Sequence, residues 1–124
     1  MTILLTGGAG FIGSHTYVEL IQAGFDAVIV DDFSNSSIAV IDRLQTITGK
    51  PVRYYQANVC DAQAMDSIFS EQSIDAVIHF AGFKAVGESV VKPLDYYRNN
   101  LDSTLTLCET MRKHHVNRIV FSSS

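Results

Sequence analysis

The glycines near the start of the chain form the stretch that is best suited to bind an anion. Gly8, Gly10 and Gly13 satisfy the pattern G-x-G-x-x-G. Read from Gly7, the same stretch satisfies the related pattern G-x-x-G-x-x-G. Such glycines allow a tight turn, a close approach of the backbone to phosphates and close packing of a helix on a strand. Glycine loops also occur as plain turns, so the pattern alone leaves both interpretations open.

A carboxylate further along the chain favours a dinucleotide site over a plain turn. Asp31 and Asp32 directly follow the apolar run 27–30, at roughly the separation of about 20 residues that the motif requires. A carboxylate at the end of a second strand can accept hydrogen bonds from ribose hydroxyls. It would also repel the 2′-phosphate of NADP. We therefore predict that the cofactor is NAD.

Composition and charge exclude several other classes of protein. The 124 residues are 47% hydrophobic and 18% charged, which is typical of one globular domain. The formal net charge of −4, with no basic cluster, argues against nucleic acid or an anionic membrane as the main partner. No apolar run approaches the ~20 residues of a membrane span. Cys60 and Cys108 lie far apart and are predicted to be reduced thiols of a cytoplasmic protein, without disulfide or metal.

Strands and helices alternate along the chain, which predicts an α/β fold with a parallel sheet and helices on both faces. The predicted strands are Thr2–Thr6, Ala27–Val30, Val52–Ala57, Ala76–Phe80 and Arg118–Phe121. The first predicted helix runs from Ile12 to Ala23 and is closed by Gly24, a residue typical of helix ends.

The remaining helices are predicted from apolar spacing and capping residues. Asn35 or Ser36 is expected to cap the second helix, and Gly49-Lys50-Pro51 to end it. Asp61 is expected to cap the third. The apolar faces are predicted to contain Ile38, Ile41, Leu44 and Ile47 in the second helix, Met65, Ile68 and Phe69 in the third, and Leu94, Tyr97, Leu101, Leu105, Cys108 and Met111 in the fourth, which begins near Pro93.

Ligands of such sheets lie across the carboxyl ends of the strands. The residues expected there are Gly7–Gly13, Asp31–Ser36, Asn58-Val59, Phe80–Lys84 and Ser122–Ser124. Several of them have an equally simple structural interpretation. Lys84 is either a phosphate or ribose contact or a solvated lysine. Asn99 and Asn100 are either a ligand contact or a solvent-facing pair, and the serines are either hydroxyl donors near the nicotinamide or a polar strand end.

Longer stretches of the sequence carry a resemblance to a known family. They are Thr6–Thr16, Ile78–Val90, Lys92–Leu94, Tyr96-Tyr97, Asn99-Asn100 and Phe121–Ser124. The chain resembles the extended short-chain dehydrogenase/reductase superfamily and, within it, the UDP-glucose 4-epimerases. The resemblance covers all 124 residues, but only the N-terminal part of a family member.

This resemblance implies a doubly wound Rossmann fold with strand order 3-2-1-4-5, truncated after the fifth strand, in which residues 1–124 are the N-terminal portion of the NAD-binding domain. The resemblance also implies that the UDP-sugar domain lies outside these residues. The family reaction interconverts UDP-galactose and UDP-glucose by transient transfer of the C4 hydride to bound NAD, and the family implies a homodimer. Ser124 would bind the sugar and belong to the catalytic group. The implied cofactor contacts are Gly7, Gly10, Phe11, Ile12, Gly13, Asp31, Asp32, Phe33, Ser34, Asn35, Ser36, Asn58, Val59, Phe80, Ala81, Gly82, Phe83, Lys84, Asn99 and Ser122.

The sequence departs from the family pattern at several places. Asn58 stands where many members have aspartate, and Ser103 stands where glycine is common. The family's Tyr-x-x-x-Lys motif lies beyond residue 124. We therefore expect the complete protein to be an isomerase and this chain alone to be inactive. Two alternatives are another NAD-dependent nucleotide-sugar dehydratase or decarboxylase, and a non-catalytic NAD-binding module.

Overall fold

The chain forms one parallel sheet in the order β3-β2-β1-β4-β5, which confirms the predicted topology. The computed structural model describes residues 1–33, 37–80 and 104–121. The strands are β1 (Thr2–Thr6), β2 (Asp26–Asp31), β3 (Arg53–Gln56), β4 (Ala76–His79) and β5 (Ile119–Phe121). The helices are α1 (Phe11–Gln22), α2 (Ala39–Thr48), α3 (Ala62–Glu71) and α4, which is described over residues 104–113.

Two apolar cores lie on opposite faces of the sheet, because successive side chains of a strand point to opposite sides. On one face Leu4 packs with Val28 and Val77 against residues of α3 and α4. On the other face Leu5 packs with Ile29 against residues of α1 and α2. This arrangement is the doubly wound architecture that the sequence predicts.

The helix ends follow local chemistry. The Asp61 carboxylate caps α3 by accepting a hydrogen bond from the Ala64 amide at 3.2 Å, as predicted. Gly49 ends α2 in the left-handed conformation with a φ of 69°. The predicted cap of α2 is wrong. Its N-cap is Ile38, which makes no side-chain cap hydrogen bond, whereas Asn35 and Ser36 lie outside the described residues.

The predicted apolar faces of two helices are partly wrong. Ile41 and Leu44 are buried in α2, but Ile38 is 48% exposed and Ile47 is 60% exposed. Helical residues that are three positions apart are separated by about 300° around the helix axis, which is about 60° short of a full turn. A long series at this spacing therefore drifts around the axis. The ends of the series therefore leave the core, whereas its two central members stay in it.

The predicted apolar face of α4 is also partly wrong. Leu105 is 60% exposed and Cys108 is exposed, although both were expected on the buried face. Met111 is buried, as predicted, together with Thr110 and with Leu107 four residues earlier, which the prediction left out. The predicted members Leu94, Tyr97 and Leu101 lie outside the described residues. In α3 the buried residues are Met65, Ile68 and Phe69, as predicted.

Over the described residues, no helix is long and apolar enough to cross a membrane. The same ranges contain no group of three or more histidine, cysteine or acidic residues that could hold a metal ion. Neither Cys60 nor Cys108 forms a disulfide bond.

Candidate functional site

The glycine turn connects the carboxyl end of β1 to the start of α1. Gly7 has a φ of 71°, a conformation that side chains disfavour. Its amide donates to the Val30 carbonyl at 2.7 Å, and its own carbonyl accepts from the Gly10 amide at 3.1 Å. These bonds bring the turn directly beside the end of β2, where the acidic residues lie.

Gly13 allows α1 to begin in contact with the turn. A Cβ atom built on this residue would lie 2.5 Å from the Gly7 carbonyl oxygen and 2.8 Å from the Gly8 Cα. Both neighbours are backbone atoms, which cannot move away as a side chain could. A Cβ on Gly8 would lie 2.8 Å from the Ile29 side chain. The glycines at positions 8 and 13 are therefore required by space, which a plain turn would not explain.

The start of α1 has the features of an anion-binding site. Gly10 is the N-cap, makes no side-chain cap hydrogen bond, and no acidic residue occupies the first turn. The first amides of a helix have no partner within the helix and carry a partial positive charge. Ile12 lies in this first turn and is 43% exposed, so an apolar side chain stands next to the amides.

Asp31 occupies the end of β2 and connects two backbone segments. Its Oδ2 atom accepts a hydrogen bond from the Ala9 amide at 3.1 Å, and its Oδ1 atom accepts from the Phe33 amide at 2.8 Å. The residue is half-buried, and Asp32 beside it is exposed. Each carboxylate oxygen has lone pairs beyond the one that it uses here, so further donors such as ribose hydroxyls can still bind.

The backbone after β2 takes an unusual conformation at Phe33, which has a φ of 60°. The hydrogen bond from its amide to Asp31 holds the residue in place. Its ring packs edge-on against Tyr54, with the ring centres 6.2 Å apart. An aromatic side chain in the left-handed region is uncommon, and such residues gather at ligand sites.

The end of β3 lies beside Asp31. The Ala57 amide donates to the Asp31 carbonyl at 3.1 Å, which places Asn58 next to the acidic residue. The Asn58 side-chain oxygen accepts from the Cys60 amide at 2.8 Å, so part of its acceptor capacity is already used. Val59 is buried, at 4% exposure, in the core on the α3 side of the sheet. Asn58 is thus the more accessible of the two residues predicted to meet adenine.

Sequence reasoning missed a buried polar contact that joins β1 to β4. The Thr6 hydroxyl lies 2.5 Å from Nδ1 of His79, and both residues are buried. The same hydroxyl oxygen accepts from the Phe80 amide at 3.1 Å. These contacts hold the end of β4 against the start of the glycine turn. The available signal was a histidine within an otherwise apolar strand, where a polar side chain needs a partner.

The structure thus brings together three of the five predicted segments at the ends of adjacent strands. They are Gly7–Gly13, Asn58-Val59 and the described part of the second segment, Asp31–Phe33. Phe80 begins a fourth, is half-buried and is held to Thr6. The remaining predicted site residues lie outside the described residues, namely Ser34, Asn35, Ser36, Ala81, Gly82, Phe83, Lys84, Asn99, Ser122 and Ser124.

This edge of the sheet fits a dinucleotide. Three features lie next to one another along this edge. They are a turn with no room for Cβ atoms, the start of a helix without a side-chain cap, and a carboxylate held by hydrogen bonds. They match the needs of a pyrophosphate and of the ribose attached to it. The end of β3 lies further along the same edge, on the side where a base attached to that ribose would extend.

Comparison with known proteins gives consistent matches over the whole chain. A family model described as the NAD dependent epimerase/dehydratase family matches residues 3–124. UDP-glucose 4-epimerase from Bacillus subtilis is 57% identical over 124 residues, which is 100% of this chain and 37% of that protein. The chain therefore spans little more than a third of this relative.

Solved structures show the same relationship. UDP-glucose 4-epimerase from Bifidobacterium longum, crystallised with NAD+ and UDP, has a TM-score of 0.96 and is 55% identical, over 100% of this chain and 37% of that one. A UDP-Glc/GlcNAc 4-epimerase from Campylobacter jejuni has a TM-score of 0.90 at 34% identity, over 98% of this chain and 36% of that one.

Proposed function

Because the chain belongs to the NAD dependent epimerase/dehydratase family, we propose that it is the N-terminal NAD-binding part of a UDP-glucose 4-epimerase. The observation that carries this proposal is the cradle formed by the glycine turn and Asp31, in a chain 57% identical throughout to an epimerase of that name. The cradle supports the cofactor, and the identity supports the reaction.

Each part of the cradle has a role toward the dinucleotide. The amides at the start of α1 bind the pyrophosphate, which approaches closely because Gly10 carries no side chain, while Gly13 lets α1 begin in contact with the turn. Asp31 accepts hydrogen bonds from the adenosine ribose, and its charge disfavours the 2′-phosphate of NADP. Asn58 lies where the adenine extends beyond the ribose. Ile12 supplies apolar surface beside the pyrophosphate, and Phe33 supplies it on the ribose side.

When bound, NAD+ supplies a hydride acceptor that can also return the hydride, so that the sugar is isomerised without net oxidation. The residues of this chain bind and orient the cofactor for that reaction. Ser124 is proposed to hydrogen-bond the sugar hydroxyl and to belong to the catalytic group. The substrates would be UDP-galactose and UDP-glucose, in a cytoplasmic homodimer formed by the complete protein.

The first test measures the cofactor. The complete protein that contains these residues is purified, denatured, and the released nucleotide is quantified. We expect NAD(H), without NADP(H), and the same assay on the 124-residue chain asks whether the cradle assembles alone. Absence of NAD(H) from the complete protein, with no binding of added NAD+, would contradict the proposal.

The second test measures the reaction. The complete protein is given UDP-galactose, and we expect UDP-glucose to form with no net change in NADH absorbance. A panel of other nucleotide sugars separates this outcome from dehydration or decarboxylation, which would yield keto or shortened sugars. The 124-residue chain is expected to be inactive. Turnover by the short chain that survives removal of host epimerase would contradict that part of the proposal.

A further inference from the structure

The Asp31 carboxylate holds the glycine turn as well as facing the ribose position. Its Oδ2 atom binds the Ala9 amide at 3.1 Å, and Ala9 is the residue between Gly8 and Gly10. Ala9 is 2% exposed, so water has little access to replace this bond. The other oxygen binds the Phe33 amide at 2.8 Å, which fixes the carboxylate from the opposite side.

We propose that Asp31 is a positioning residue for the pyrophosphate: it shapes the glycine turn through the Ala9 amide, independently of any contact with the ribose. This inference rests on the proposed function and deepens it. A ribose acceptor alone would need no bond to the turn. A carboxylate that is bound by two amides cannot rotate away from the ribose, so the same bonds also make the rejection of a 2′-phosphate a fixed property of the site.

The two roles of Asp31 predict opposite effects on a ligand that lacks ribose hydroxyls. If the carboxylate acted on the ribose alone, removing its negative charge would leave the binding of such an anion unchanged or strengthen it, because like charges repel. If the carboxylate positions the turn, its removal weakens that binding. The sign of the effect therefore distinguishes the two cases.

The probes are ADP and 2′,3′-dideoxy-ADP, which share the base and the pyrophosphate but differ in the ribose hydroxyls. Affinities are measured by calorimetry on the complete protein after bound nucleotide is removed. The variants are Asp31→Ala, which removes both acceptors, and Asp31→Asn, which keeps one carbonyl oxygen. Asp42→Asn is the matched control, because it removes an exposed carboxylate from α2.

We expect Asp31→Ala to weaken dideoxy-ADP binding by about tenfold, the usual effect of losing one hydrogen bond to a charged group. Asp31→Asn should weaken it less, and Asp42→Asn should leave both ligands unaffected. An unchanged or increased affinity of Asp31→Ala for dideoxy-ADP would overturn the inference. If wild-type protein binds neither probe nor NAD+, the proposed function fails instead.

Amide hydrogen exchange provides a test without any ligand and without the more disruptive alanine variant. In Asp31→Asn, the Ala9 amide should exchange faster than in wild type, whereas the amides of the central strand residues Leu4 and Val28 should not change. Unchanged protection at Ala9 would overturn the inference even if nucleotide affinity fell. Faster exchange throughout the sheet would also overturn it, because it would show a general loss of stability.

Discussion

The two faces of the sheet bury similar residues but differ in what they support. The core around Leu4 packs under α3 and α4 and contains Val59. The core around Leu5 packs under α1 and α2 and contains Ile29, against which Gly8 lies. Leu4 and Leu5 are neighbours in β1 and both are fully buried, so one strand contributes equally to both cores.

This difference shows how the site constrains one core more than the other. On the α3 face, the side chains around Leu4 pack against one another and against residues of α3 and α4. On the α1 face, the backbone of the turn, the start of α1 and the Ile29 side chain meet within van der Waals distance. We therefore expect a change of volume on the α1 face to move the cofactor cradle, and the same change around Leu4 to alter mainly the stability.

Gly13→Ala is expected to have the largest effect, because its Cβ would lie 2.5 Å from the Gly7 carbonyl oxygen. Either the turn or α1 must move. We expect a loss of about 3 kcal/mol in the free energy of unfolding, typical of overpacking against atoms that cannot yield. NAD released per purified protein should fall close to zero. Denaturant unfolding and the nucleotide-release assay measure the two effects.

Gly10→Ala is the matched control for stability. A Cβ there would approach no closer than 3.4 Å to the same carbonyl oxygen, and Gly10 has a φ of −73° that other residues adopt. We expect a stability change below about 1 kcal/mol, the range for Gly→Ala at a helix N-cap. If Gly13→Ala were as stable as Gly10→Ala, the space requirement at the start of α1 would be wrong.

Leu4→Ala and Leu5→Ala compare the two faces directly. Each substitution leaves a cavity in place of a fully buried leucine side chain, and we expect each to destabilise the protein by about 3 kcal/mol. The variants should separate in cofactor affinity. Leu5 shares a core with Ile29, whose side chain would lie 2.8 Å from a Cβ on Gly8. The cavity left by Leu5→Ala therefore lets Ile29 shift beneath the turn, whereas Leu4 belongs to the opposite core.

NAD+ affinity is measured at a temperature where both leucine variants remain folded. We expect Leu5→Ala to bind NAD+ more weakly than Leu4→Ala by about tenfold, which corresponds to roughly 1.4 kcal/mol. Equal NAD+ affinities of the two variants would show that a cavity in the core beneath the turn does not change the conformation of the turn. The two faces would then differ in their contribution to stability only.

The sequence predicted the sheet and much of the α3 face because these follow from local periodicity. Met65, Ile68 and Phe69 combine spacings of three, one and four residues, which keeps them on one side of a helix. Ile38 and Ile47 were misplaced because a series at a constant spacing of three residues drifts around the helix axis, so its ends leave the core. The bond from Asp31 to Ala9 joins residues 22 positions apart. No local pattern encodes it, although the motif places its two ends on neighbouring strands.

Two tyrosines, one buried and one partly buried, extend the comparison to polar side chains. Tyr17 belongs to the α1 face and is 1% exposed, and burial raises the pKa of its phenol above 10.0. Tyr55 packs on the α3 face and its hydroxyl donates to Glu71 at 2.6 Å. Tyr55→Phe should therefore lose about 1 kcal/mol at pH 7, as for a typical hydrogen bond, and Tyr17→Phe should lose less.

The pH dependence of Tyr17→Phe sharpens this result. A phenol with a raised pKa in the folded state contributes stability below the unfolded value of 10.0, and this contribution is lost as the pH rises through the folded value. Wild type should therefore lose stability above about pH 10 more steeply than Tyr17→Phe. Parallel curves, obtained by urea unfolding from pH 8 to 11, would indicate that the Tyr17 hydroxyl is solvated.

Asp66 provides the smallest effect and lies on the outer surface of the α3 face. Its Oδ1 atom lies 2.8 Å from Nε2 of His114 and 3.2 Å from the Lys113 ammonium group, so it joins α3 to the end of α4. The hydrogen bond with His114, followed by that with Lys113, lowers the pKa of this carboxyl below 3.8. A carboxyl group with a lowered pKa in the folded state stabilises the protein at a pH above its unfolded pKa, and this contribution is lost as the pH falls through the folded pKa.

Asp66→Asn should therefore melt at a slightly lower temperature than wild type at pH 7, and the difference should disappear on acidification below about pH 4. Asp42→Asn controls for the loss of an exposed carboxylate, and NAD+ affinity should be unchanged in both variants. If Asp66→Asn weakened NAD+ binding, the α3 face would be coupled to the cradle, and the independence of the two faces would be wrong.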